Sequence, residues 1–140
     1  MRKISRIFVH CTAGSQRQTI ADLKAEFQRK GWHAPGYHFV VSADGTVTQL
    51  LPIEKVANGV QGYNGHSIHI AWMGGIDSKC HAIDNRTPEQ KAALRELVAK
   101  FHYRFPDAEV MGHREIWGES PRNWKKMCPC FNVKSEYKDL

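Results

Sequence analysis

Tyr37-His38-Phe39-Val40-Val41-Ser42-Ala43-Asp44-Gly45-Thr46-Val47-Thr48-Gln49-Leu50 holds two β-rich runs joined by Asp-Gly. Asp and Gly accept the backbone conformation of a tight antiparallel turn, so the stretch reads as a hairpin with strands over 37–41 and 46–50. Two strands bury no core of their own. On the N-terminal side, Ile4 to His10 is a β-branched, apolar run that reads as a strand, followed by the small-residue loop Cys11-Thr12-Ala13-Gly14-Ser15. Thr19 to Lys30 reads as a helix, with Ile20, Leu23 and Phe27 on one face, Thr19 as N-cap and Gly31 at the C-terminal end. On the C-terminal side, Ser67 to Trp72 reads as a strand closing at Gly74-Gly75. Thr87 to Arg104 reads as a helix: Thr87 and Gln90 form a capping box, Pro88 takes the first position, and Leu94, Leu97, Val98, Phe101 and Phe105 repeat at helical spacing. Pro106 ends it, Glu109 to Met111 forms a short strand, and the sequence beyond Gly112 reads as irregular. Strand, helix, three strands, helix, strand predicts one α/β domain over 1–140, a central mixed β-sheet flanked by helices.

A chain of 140 residues is long enough for one core, and its net charge of +6 favours anionic partners: nucleic acid, anionic membrane or anionic cell-wall polymer. Charge alone does not choose among them. There is no run of about 18 apolar residues to span a membrane. The basic start Met1-Arg2-Lys3-Ile4-Ser5-Arg6 is followed by too short an apolar run for an export signal. The expectation is therefore synthesis in the cytoplasm, with Cys11, Cys80, Cys128 and Cys130 reduced. No basic stripe interleaved with aromatics appears, so neither nucleic acid nor membrane is an expected partner, and a monomer is expected.

The eight histidines are the first hint of chemistry. His10 closes the first strand, His113 follows the last strand across Gly112, and Cys128 precedes Pro129. Two imidazoles and a thiolate are a ligand set that catalytic zinc accepts, leaving a fourth position open. Their spacing is long and irregular, so residue type alone leaves each free to be an ordinary core residue. Cys128-Pro129-Cys130 also admits a metal clip or a redox pair. Cys11 and Cys80 read as buried or inert thiols, and His33, His66, His81 and His102 as surface residues. His38, next to Tyr37 in its strand, should point to the opposite face.

Four stretches then appear in order. They are Ile7-Phe8-Val9-His10-Cys11-Thr12-Ala13; Gly36-Tyr37-His38-Phe39-Val40-Val41 with Asp44-Gly45-Thr46; Gly112-His113-Arg114-Glu115; and Lys126-Met127-Cys128-Pro129 with Phe131-Asn132-Val133. The series resembles the zinc-dependent N-acetylmuramoyl-L-alanine amidases of the type-2 amidase family, most of all its phage endolysins. The animal peptidoglycan recognition proteins share that fold. The likeness runs from about Arg6 to about Val133.

The resemblance implies one zinc ion per chain held by His10, His113 and Cys128. It makes Tyr37 and Lys126 the catalytic residues and places Asn64 in the substrate groove. It implies hydrolysis of the peptidoglycan amide between the lactyl group of N-acetylmuramic acid and the first L-alanine of the stem peptide. Such a reaction passes through an oxyanion that needs pre-placed donors or positive charge, which a lysine and a tyrosine hydroxyl can supply. His69 and Cys130 stand where the family usually has Gly; the Lys-x-Cys-Pro frame assigns the ligand to Cys128. An endolysin of phage or prophage would reach the wall after holin release, lysis or specialised secretion. Two alternatives go with this reading. One is a non-catalytic peptidoglycan-binding module, against which Cys128 argues. The other is an amidase with a second role as regulatory partner of a polymerase, for which no residue marks a surface.

Overall fold

A computed structural model describes residues 1–140. Five strands form one sheet: β1 (Arg6–Cys11), β2 (Phe39–Val41), β3 (Val47–Gln49), β4 (Ser67–Trp72) and β5 (Glu109–Gly112), in the order β3-β2-β4-β1-β5. β1 runs parallel to both β4 and β5, β2 runs parallel to β4, and β3 returns antiparallel to β2. The sheet is mixed, as the hairpin and the two helical crossovers require. Its register sets Ile7 against Ile68, Phe8 against His69 and His10 against Ala71.

Alternation along these strands divides the core into two faces. Ile7, Val9, Ile68, Ile70, Trp72, Phe39 and Val41 pack with Leu94, Leu97, Val98 and Phe101 of α2 (Pro88–Arg104) and with Phe131 and Val133. On the opposite face, Val40 and Ala71 meet Leu23 and Phe27 of α1 (Ile20–Arg29), and Phe8 meets Val60 and Met111. His10, His38 and His69 are buried. Both helices begin on reciprocal capping boxes, Thr19 with Asp22 and Thr87 with Gln90. Gly31, just beyond α1, takes φ +74, a conformation that favours glycine. No helix is long and apolar enough to cross a membrane.

Three expectations are corrected. The first strand runs on through Cys11, because pairing with Trp72 continues there. The segment after Gly112 is more ordered than its Gly and Pro content suggests. It forms 3₁₀ turns over His113–Trp117 and Pro121–Asn123 and a short helix, α3 (Val133–Glu136). Four residues are too few to show a period; α3 is held instead by Asn132 Oδ1 accepting from Ser135 N at 3.0 Å and by burial of Val133. Cys80 is exposed rather than buried.

Candidate active site

The site lies at the C-terminal ends of the parallel strands, where open α/β sheets place their ligands. β1 delivers His10, and β5 delivers His113 immediately past its last residue. Cys128 comes from the C-terminal loop, and several bonds dock that loop. Cys128 O accepts from Arg114 N at 3.0 Å, Met127 O accepts from Arg114 Nη1 at 3.3 Å, and Pro129 O accepts from the Trp72 indole at 3.1 Å. The Arg114 guanidinium lies 3.9 Å from the centre of the Trp124 ring. Gly112 is required here, because a Cβ on it would sit 2.8 Å from Pro129 Cδ.

One ligand atom from each of His10, His113 and Cys128 lies within 4.8 Å of the other two. His10 Nδ1 is 3.8 Å from Cys128 Sγ. Tetrahedral zinc with Zn–N near 2.0 Å and Zn–S near 2.3 Å sets these atoms about 3.6 Å apart, so the residues present fit the ion. Cys11 N donates to Cys128 Sγ at 3.2 Å, which fixes the sulfur toward the cluster. Burial, with the charges of His69, His113 and Lys126, holds His10 well below the ordinary imidazole range. Burial and then Lys126 hold His113 down to about 4. Both rings are therefore neutral near pH 7, the form a metal ligand needs.

Cys130 stands apart from this cluster. Its sulfur points to Gly75 O at 3.6 Å and lies 3.9 Å from Cys11 Sγ. The Tyr37 ring is 5.2 Å from that of His10, centre to centre, and its hydroxyl donates to Cys11 O at 3.3 Å. Burial first, then the neighbouring Cys128 and Cys11, pushes its phenol well above the ordinary value and keeps it a neutral donor. Tyr37 and the exposed Lys126 line the same cleft as His10, His113 and Cys128, a space of about 190 Å³. The cleft shares Trp32, Asn58, Gly59, His113 and Lys126 with a groove of about 710 Å³. Asn64 lines that groove, while its Oδ1 accepts from Val60 N at 2.8 Å and so shapes the loop as well.

Sequence reasoning missed how closely His69 approaches the site. Its Nδ1 is 2.9 Å from His10 Nε2. Burial, then His38, His113 and Arg2, lowers it to about 3. His38 does point away from Tyr37: its Nδ1 accepts from His69 N at 3.0 Å, which places its proton on Nε2, 2.8 Å from Lys55 O. Sequence reasoning also missed Glu26, Lys30 and Trp32, which α1 and the turn after it bring to the cleft. Only the packing of α1 on the Val40 and Ala71 face of the sheet puts them there.

A family profile described as N-acetylmuramoyl-L-alanine amidase matches residues 1–131. The chain is 35% identical over 130 residues to the endolysin of Escherichia phage T7, covering 91% of this chain and 82% of that protein. It is 33% identical over 135 residues to the endolysin of Klebsiella phage KP32, covering 95% and 85%. Among solved structures, the Ph2119 endolysin from the Thermus scotoductus MAT2119 bacteriophage superposes with a TM-score of 0.77 at 27% identity, over 99% of this chain and 85% of that one. Motif order, sheet topology and the cleft at the strand ends agree with these matches, and the chain belongs to the N-acetylmuramoyl-L-alanine amidase family.

Proposed function

We propose that His10, His113 and Cys128 hold one zinc ion, and that the chain uses it to hydrolyse the amide between N-acetylmuramic acid and L-alanine in peptidoglycan. The observation that carries this reading is the convergence of three ligand atoms within 4.8 Å in the cleft of an amidase-family chain. A soft thiolate with two imidazoles suits zinc and leaves a position for water or substrate. Bound there, zinc polarises the scissile carbonyl and lowers the pKa of a water molecule beside it.

The other roles belong to the chain itself. The neutral Tyr37 hydroxyl, now donating to Cys11 O, turns to donate to the oxyanion that develops on the lactyl carbonyl. Lys126, at the mouth of the cleft, places positive charge beside the same oxygen. The groove past Asn64 and Trp117 receives the rest of the muropeptide, with the aromatic ring as an apolar wall. The +6 charge draws the protein to an anionic wall. In the manner of the endolysin relatives, the protein acts on that wall after release from the cell that makes it.

The test is incubation of the purified chain with peptidoglycan sacculi, with and without a chelator, followed by assay of the ends released. New L-alanine amino termini without new reducing sugar ends, lost with chelator and restored by zinc, are expected. Retained muropeptide with bound zinc and no release would replace the enzyme with a binding module.

A further inference from the structure

His69 occupies the centre of β4 with its ring fully buried beside the cleft, and the mechanism above gives it no task. The ring is clamped. It lies parallel to Phe8 at 5.5 Å and to His38 at 5.9 Å between centres, with interplanar angles of 6° and 2°. Gly59 covers its edge so closely that a Cβ there would fall 2.2 Å from His69 Nδ1. A side chain at position 59 and this imidazole therefore cannot both occupy the space. The ring's Nε2 is buried with no hydrogen-bond partner, so a neutral ring that accepts at Nδ1 carries an unpaired N–H there, a cost that the contact at Nδ1 has to offset. Its one polar side-chain contact is the 2.9 Å approach of Nδ1 to His10 Nε2.

His10 meets the ligand cluster through its other nitrogen, since Nδ1 is the atom that faces Cys128 Sγ. A ring that gives its Nδ1 lone pair to a metal carries its proton on Nε2. That proton needs an acceptor, and His69 Nδ1 is the atom in place. The opposite arrangement, with His69 Nδ1 donating, leaves the His10 proton on Nδ1 and blocks ligation. Resting on the zinc reading above, we propose that His69 is a positioning residue: its Nδ1 accepts from His10 Nε2–H and holds His10 in the ligating tautomer and orientation. Gly59 is its counterpart, the cradle without which the ring does not fit.

The experiment compares three variants in the full chain. His69→Asn keeps an acceptor oxygen near the place of Nδ1; His69→Leu and His69→Ala remove it, one filling the space and one opening it. Zinc affinity is read by competition with a chromogenic chelator on metal-stripped protein, and ligand geometry by the visible absorption of the cobalt-substituted protein. The Leu and Ala variants are expected to bind zinc about 10–100-fold more weakly, the usual loss for such a supporting partner. Their cobalt bands should shift. The Asn variant is expected to stay within about threefold of the parent, with the parent's cobalt spectrum. Wild-type affinity in Leu or Ala overturns the proposal and leaves the zinc reading standing, as does an Asn variant as weak as Leu. A parent chain that takes up no zinc overturns the zinc reading and the proposal with it.

Discussion

At the scale of single residues, the proposed function separates groups that would hold the metal, His10, His113 and Cys128, from groups that would meet the substrate. Lys126 is exposed and touches none of the bonds that dock the Cys128 loop. Lys126→Ala should therefore keep zinc at one per chain and slow turnover by about 10²–10³-fold, the usual loss for one oxyanion partner. Zinc content and the rate of L-alanine end release check this. Cys128→Ser should lose both zinc and activity. Cys130→Ser should keep both, because the Cys130 sulfur faces Gly75 O and Cys11 rather than the ligand cluster. The residue types could name the ligand candidates from sequence, since few side chains bind zinc. They could not name His69 as a neighbour of His10, because 59 residues separate the two and only the β1–β4 register brings them together.

At the scale of elements, the N-terminus of α2 does more than begin a helix. Gln90 is fully buried; its Nε2 donates to Met73 O at 2.8 Å and to Val41 O at 3.2 Å, and its Oε1 accepts from Thr87 N at 3.0 Å. One side chain thus completes the capping box and ties off the ends of β2 and β4. Gln90→Leu keeps the volume but leaves Met73 O without its Gln90 donor and Thr87 N without its Gln90 acceptor, while Val41 O keeps its bond from Met73 N. A loss of about 2–3 kcal/mol is expected, seen as a lower denaturant midpoint at unchanged slope. The capping box at Thr87 was legible from spacing, because its partners are three residues apart. The longer reach of Gln90 to two strands was not, since no local pattern encodes it. The short α3 escaped for the opposite reason: its stability comes from one cap and tertiary packing, and four residues carry too little periodicity to read.

At the scale of the whole molecule, two features tie the C-terminal segment to the sheet. Arg86, with only 2% of its side chain exposed, bonds Asp84 at 2.9 Å and Glu136 at 2.7 Å, and its guanidinium lies 3.5 Å from the centre of the Phe131 ring. Burial alone would raise the Asp84 pKa; the bonds to Arg86 outweigh it and leave the carboxyl below its ordinary value. A depressed carboxyl stabilises the fold fully above the unfolded pKa of about 3.9, and that contribution is lost as pH falls through the folded pKa. Arg86→Met should therefore cost about 2 kcal/mol at pH 7, less than a wholly buried pair because both carboxylates keep some solvent. The gap between variant and parent should narrow at pH 3, as followed by denaturant titration at both values. The second feature is the ligand cluster, which joins β1, the turn after β5 and the C-terminal loop. Zinc at a hundred times its Kd stabilises by about 2.7 kcal/mol, which corresponds to a rise of roughly 10 °C in Tm. Chelation should remove that rise, and Cys128→Ser should abolish its zinc dependence.

The amino-acid order by itself determined the class of fold, both long helices with their caps, the hairpin at Asp44-Gly45, and the set of residues from which the proposed metal site is drawn. These rest on local forces: side-chain periodicity, capping partners three residues apart, turn residues with particular backbone freedom, and the small number of side chains that bind zinc. The tertiary structure alone decided the strand order β3-β2-β4-β1-β5, the cleft wall from α1, and the contact of His69 with His10. Each depends on groups far apart in the chain meeting at one end of a sheet. That meeting is set by the packing of two apolar faces, which the order of residues constrains only when the whole chain has folded.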